Sequence, residues 1–216
     1  MSDLIIIIIE LVGTVAFAVS GAMSGLKKNM DIFGIAILGL TTAVGGGIIR
    51  DLVLGITPPS AFRNPIYAIT AIATALIVFL PAVRHFIARE TRIYDMALLI
   101  MDSLGLGIFT VVGVRTAFEA GMDDNLFLQI FVGVVTGVGG GVLRDMMAGD
   151  RPYIFVKHFY ACASIIGAIV CSILWKFTGE ATAMFVGAAV IVVLRFLAAH
   201  YRWSLPKAKP GEFDET

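Results

Sequence analysis

The chain contains the same pattern twice. Residues 44–55 read VGGGIIRDLVLG and residues 138–149 read VGGGVLRDMMAG, so Gly45 answers to Gly139 at an offset of 94. Pro58 keeps this register to Pro152, and Tyr67-Ala68 returns as Tyr160-Ala161 after a one-residue deletion. Upstream, Glu10, Gly13, Phe17 and Gly21 have the same spacing as Asp102, Gly105, Phe109 and Gly113. Agreement over roughly 65 residues means that one structural unit is built twice.

The solvent for that unit follows from composition. Hydrophobic residues make up 58% and charged residues 15%, against about 45–50% and 25% in soluble domains. The mean hydropathy of +0.93 leaves too few charges to cover a water-exposed surface. A bilayer-spanning helix takes about 20 mostly apolar residues. Seven segments meet that description: 4–26, 32–54, 65–83, 94–115, 126–147, 155–177 and 181–200. The expected fold is therefore an all-α integral membrane protein of seven transmembrane helices. The membrane domain covers 1–202 and a polar tail 203–216. The first repeat covers about 4–89, the second about 93–177, and the seventh helix, about 181–200, stands outside both.

Three spans per copy is an odd number, so the second copy is expected to sit upside down relative to the first. Such inverted repeats usually carry their pathway at the repeat interface, on interrupted helices. The seventh helix is read as packing or an oligomer contact. With seven spans, Lys27, Lys28, Arg84, Arg89, Arg92, Arg151, Lys157, Arg202, Lys207 and Lys209 fall on one side. Only Arg63, Arg115 and Lys176 fall on the other, which by the positive-inside rule puts the N-terminus outside and the C-terminus in the cytoplasm. The first span lacks the basic lead and small-residue cleavage site of a signal peptide, so it is expected to stay. The predicted location is the cell (inner) membrane, multi-pass.

Three glycines in a row inside an apolar helix are unfavourable, at roughly 1 kcal/mol each relative to alanine. Gly45, Gly46, Gly47, Gly139, Gly140 and Gly141 are thus expected helix breaks, whose freed carbonyls suit a partly dehydrated cation. The competing reading is close helix packing. Arg50, Asp51, Arg144 and Asp145 follow the triplets. Charges within spans mark ion paths or buried pairs, and a structural charge cluster is the stronger of these two readings here. Adjacent helical residues point about 100° apart, so the Arg and Asp of one motif are expected to find partners elsewhere. Glu10 and Asp102 would set a carboxylate beside a close-packing surface, to attract cations or pair with an arginine. Thr41, Thr42 and Thr136 precede the triplets by about one turn and could line a wet pore or bond their own helix.

Other chemistries find no foothold. The formal net charge is zero and no basic stripe is interleaved with aromatics, so nucleic acid is not an expected partner. Cys162 and Cys171 face opposite sides of one helix, and His85, His158 and His200 have no metal-ligand spacing, so no metal site is expected. No nucleophile elbow, phosphate loop or zinc-protease motif supports an enzyme, and no cofactor is implied.

The doubled GGGxxRD motif, at 45–51 and 139–145, resembles that of the trimeric intracellular cation channels and their bacterial relatives, also described as carrying two glycine transporter domains. The resemblance covers about 4–200. It implies a homotrimer with one pore per protomer, lined by the kinked second and fifth helices, and permeant monovalent cations, chiefly potassium, with sodium possible. It implies the triplets as helix breaks and Arg50/Asp51 and Arg144/Asp145 as flanking charged pairs. The lysine beside the fifth-helix glycines that animal members use with phosphoinositide is absent, since Val142-Leu143-Arg144 follows the triplet. Membrane lipid remains a partner through the basic cytoplasmic side. A secondary transporter of glycine or another small solute is the alternative, and a purely structural scaffold a third reading.

Overall fold

The computed structural model describes residues 3–88, 90–156 and 159–203; residues 204–216 of the expected tail lie outside these. The described residues form helices and no strand. Six helices are long and apolar enough to cross a membrane. These are α1 (Asp3–Lys27), α2 (Ile32–Val53), α6 (Thr91–Glu119), α7 (Leu126–Met147), α9 (Tyr160–Thr178) and α10 (Glu180–His200). Between them lie α3 (Ser60–Arg63), α4 (Ile66–Phe79), α5 (Pro81–Ala88) and α8 (Tyr153–Val156).

The expected third span, 65–83, is the one that differs most. It is a 14-residue helix, α4, stopped at Leu80 (φ −55°, ψ 138°) before α5 begins. Pro81 supplies the reason, because a residue before proline is driven out of the helical region. The sixth segment starts later than expected, at Tyr160, because Tyr153–Val156 forms its own short turn of helix. The fourth is longer at both ends, running Thr91–Glu119 over 29 residues.

Local capping follows the repeat. Asp31 Oδ1 accepts the Gly34 amide (2.7 Å) at the start of α2, and Asn125 Oδ1 accepts the Leu128 amide (3.0 Å) at the start of α7. Both helices end alike. Gly55 (φ 71°) and Gly149 (φ 69°) take the left-handed conformation that lets the next amide reach back. Ile56 N then donates to Asp51 O (2.8 Å), and Asp150 N to Asp145 O (2.9 Å).

Each copy makes a three-helix group: α1, α2 and α4 contact one another, as do α6, α7 and α9. The groups meet through α2 on α7 and α1 on α6, and α10 lies against α9 and α6. The α1–α6 seam is reciprocal. The Phe17 ring lies on Gly105, Phe109 faces Gly13, and the two rings sit 5.3 Å apart. Large apolar side chains cover the outside, with Phe33 and Phe127, equivalent in the repeat, 71% and 77% exposed. A surface of that kind is stable only against lipid.

Candidate functional site

The glycine triplets sit where α2 crosses α7, and there the expectation of broken helices fails. Both helices run unbroken through Gly45–Gly47 and Gly139–Gly141 as regular α-helix. The reason is steric. A Cβ on Gly46 would drive into Thr136 O, and one on Gly140 into Thr42 O, so the backbones touch with no room for a side chain. Gly139 lies equally close to Gly46, its Cβ position 3.2 Å from that residue's Cα. The packing gained across the crossing offsets the poor helix propensity of glycine. Gly47 differs: a Cβ there would meet nothing nearer than the Arg50 Nη2 at 3.7 Å.

Thr42 and Thr136 are fully buried and donate to Leu38 O and Val132 O of their own helices, each at 2.6 Å. They satisfy themselves within the helix, as one of the two sequence readings has it. Thr41 is half-buried on α2.

Each Arg-Asp motif closes on itself, contrary to the expectation that neighbours on a helix do not meet. Arg50 Nε donates to Asp51 Oδ1 (2.8 Å), and Arg144 Nε to Asp145 Oδ1 (2.8 Å). The long arginine side chain bends back along the helix beside the third glycine, its Nη2 3.7 Å (Arg50) and 3.8 Å (Arg144) from where a Cβ would stand. The second carboxylate oxygen then starts the following short helix. Asp51 Oδ2 accepts the Ser60 amide (2.6 Å) of α3, and Asp145 Oδ2 the Tyr153 amide (2.8 Å) of α8. The acid therefore has three tasks: arginine partner, helix-end residue and cap for the returning loop.

The two copies then diverge. In the second, Arg144 is fully buried and also donates through Nη1 to Asp102 Oδ1 (2.6 Å) and to Ser20 Oγ of α1. The Tyr160 hydroxyl stands 3.5 Å from the same Asp102 oxygen. Arg195 of α10, 4% exposed, lies 3.6 Å from Asp102 Oδ2. In the first copy, Glu10 takes the place of Asp102, yet among the described residues it forms no ion pair with Arg50. It accepts the Tyr67 hydroxyl instead. Between them opens a cavity of about 310 Å³, walled by Glu10, Thr14, Gly47, Arg50, Tyr67 and Arg115 among others. Arg115 is itself held by Glu119 and by Glu180 of α10 (2.7 Å).

Sequence reasoning missed Arg195, Tyr67 and Tyr160 as site residues. Arg195 carried the same signal as Arg50 and Arg144, a charge inside an apolar span. The tyrosines were visible as a repeated pair but not as partners of the repeated acids.

This doubled arrangement has relatives. Residues 7–82 and 99–176 match the model of the glycine transporter family, once per copy. The chain belongs to that family. YadS, a UPF0126 inner membrane protein of Escherichia coli K12, is 34% identical over 92% of this chain and 93% of its own. A UPF0126 membrane protein of Deinococcus radiodurans is 36% identical over 92% of this chain and 89% of its own. Two solved structures are similar in three dimensions. One, from work on conductance through TRIC cation channels, is 39% identical with a TM-score of 0.81, covering 94% of this chain and 96% of its own. The other is the TRIC trimeric intracellular cation channel orthologue from Rhodobacter sphaeroides, 33% identical with a TM-score of 0.82 over 92% and 98%. This glycine transporter family chain is thus a multi-pass membrane protein and a homologue of cation channels rather than of enzymes.

Proposed function

We propose that the chain is a channel for monovalent cations, potassium above all, with one pathway per protomer that is entered through the cavity between α1, α2, α4 and α6. The observation that carries this is the cavity beside Gly47, which reaches into the apolar bundle between the copies and holds Glu10 on its wall. Glu10 has a hydroxyl rather than a cation as its described partner, so its charge is available to a passing ion. Gly47 keeps the wall of α2 low at that point. The likeness to TRIC channels at 33–39% identity over nearly the whole chain supports the same reading.

The seven-helix, inverted form of the fold belongs to this proposal. In it, α4 and α5 together complete the third crossing, since the 14 residues of α4 alone extend only about 21 Å of the roughly 30 Å core. The copies oppose each other as two three-helix repeats and α10 is the seventh helix. The basic connectors support an N-terminus outside and a C-terminus on the cytoplasmic side of the inner membrane. The trimeric relative supports a homotrimer, with the exposed apolar helix faces against lipid and neighbouring protomers.

Reconstitution in a planar bilayer tests the function. A channel gives ohmic unitary currents whose reversal in a potassium chloride gradient follows the cation. Saturable, counter-transported uptake of glycine or another solute without unitary currents would overturn the proposal. Light scattering on the purified protein, with detergent mass subtracted, reads the trimer separately.

A further inference from the structure

α10 has no counterpart in the repeat, yet it reaches into the more closed of the two charge clusters. Arg195 is 4% exposed and its guanidinium lies 4.7 Å over the Tyr160 ring. Its Nη2 stands 3.6 Å from Asp102 Oδ2, beyond hydrogen-bond distance. Among the described residues Asp102 Oδ2 and Arg195 Nε have no hydrogen-bond partner. Asp102 thus holds Arg144 with one oxygen at 2.6 Å and faces a second arginine with the other.

The four charges, Arg144, Asp145, Asp102 and Arg195, can be divided into neutral pairs in two ways. In the structure Arg144 bridges both acids by hydrogen bonds, and Arg195 is paired with Asp102 by charge alone, at 3.6 Å. In the other division Arg144 keeps only Asp145, to which it is already bonded through Nε, and Asp102 keeps Arg195. The first copy displays half of that division for its own motif, with the Tyr67 hydroxyl rather than a second arginine on its upstream acid. Arg50 is bonded to Asp51 and parted from Glu10, and the cavity lies between them. Parting a buried carboxylate from its only cation is strongly unfavourable, because the charge left behind is neither solvated nor paired. A second arginine one short step away removes most of that penalty.

On the channel reading above, we infer that Arg195 is the countercharge to which Asp102 is handed when Arg144 parts from it, so that the second end of the pathway opens as the first is open. Arg195 is a positioning residue in this scheme: it touches no permeant ion and acts through Asp102. The seventh helix then has a task beyond packing, namely to supply the charge the repeat itself lacks at that end.

Single-channel recording of the whole purified protein tests this. Arg195→Met strands Asp102 on opening and lowers open probability at least about tenfold, with unitary conductance and reversal potential unchanged. Arg195→Lys, which keeps the charge, stays within about threefold of the native protein. Asp102→Asn combined with Arg195→Met removes one charge of each sign and restores opening, a rescue that a merely structural role for Arg195 would not give. Native gating in Arg195→Met, or a double variant as shut as the single one, overturns the inference. Where Arg195→Met yields no folded protein, the double variant is compared with Asp102→Asn alone: equal open probability supports the inference, because Arg195 acts only through Asp102, and a lower one in the double variant overturns it. Absence of unitary currents from the native protein is a different result, which sinks the channel reading before any variant is compared.

Discussion

Replacing Gly46 by alanine adds one methyl group at the point where α2 and α7 touch. That methyl would drive into Thr136 O, a backbone atom that cannot rotate away. A carbon needs about 3.5 Å to a heavy neighbour, so the crossing must widen by about 1.4 Å. Widening on that scale forfeits about half or more of each van der Waals contact along the seam, where Thr42, Gly139 and Gly140 lie against Gly46 and Thr136. Overpacking of this kind costs about 1–3 kcal/mol, toward the upper end where only backbone can yield. Alanine's better helix propensity returns about 1 kcal/mol. The net expectation for Gly46→Ala is a loss of about 1–2 kcal/mol. Gly47→Ala is the control one residue away. Its methyl would stand 3.7 Å from a movable guanidinium, so only the propensity gain of up to about 1 kcal/mol remains. Thermal unfolding in one detergent, followed by tryptophan fluorescence, reads both: Gly46→Ala melts several degrees below the native protein and Gly47→Ala at or above it. If the two variants shift together, in either direction, the triplet does not work as a close-contact seam and the steric argument is wrong.

Phe17 fills the space over Gly105 and touches Gly140, so Phe17→Ala should open a cavity between the copies and cost about 3–5 kcal/mol in the same unfolding assay. The two kinds of ion pair should separate cleanly. Asp51→Ala leaves the buried Arg50 unpaired and uncaps α3, for a loss of about 3–5 kcal/mol. Lys28→Ala removes the exposed bridge to Asp150 and changes stability by less than about 1 kcal/mol, an effect that disappears in high salt.

Much of the molecule was legible in the sequence because membrane helices and repeats are local signals. The boundaries of α2 and α7 follow from Asp31 and Asn125 at one end and Gly55 and Gly149 at the other, each a residue whose own chemistry starts or stops a helix. The triplets were legible as special but ambiguous as to kind. Three glycines weaken a helix and also let another backbone approach, and the outcome depends on what lies opposite. Opposite Gly46 is the backbone of Thr136, with Gly140 close by, and that is a matter of tertiary register. The same holds for the Arg-Asp motifs. Their place inside apolar spans was plain, but the bend of Arg50 and Arg144 back onto their neighbours goes with carboxylates held by the returning loops, through the Ser60 and Tyr153 amides.

The sequence by itself determined the solvent, the all-helical class, the duplication and the family, because each depends on hydropathy and on residues near one another in the chain. Only the tertiary structure decided that the two copies are unequal. Glu10 and Asp102 stand at matching places, yet one faces a cavity and a tyrosine while the other is held between two arginines. The difference comes from Ser20 of the opposite copy and Arg195 of a helix outside the repeat, contacts made across the chain that no local pattern encodes.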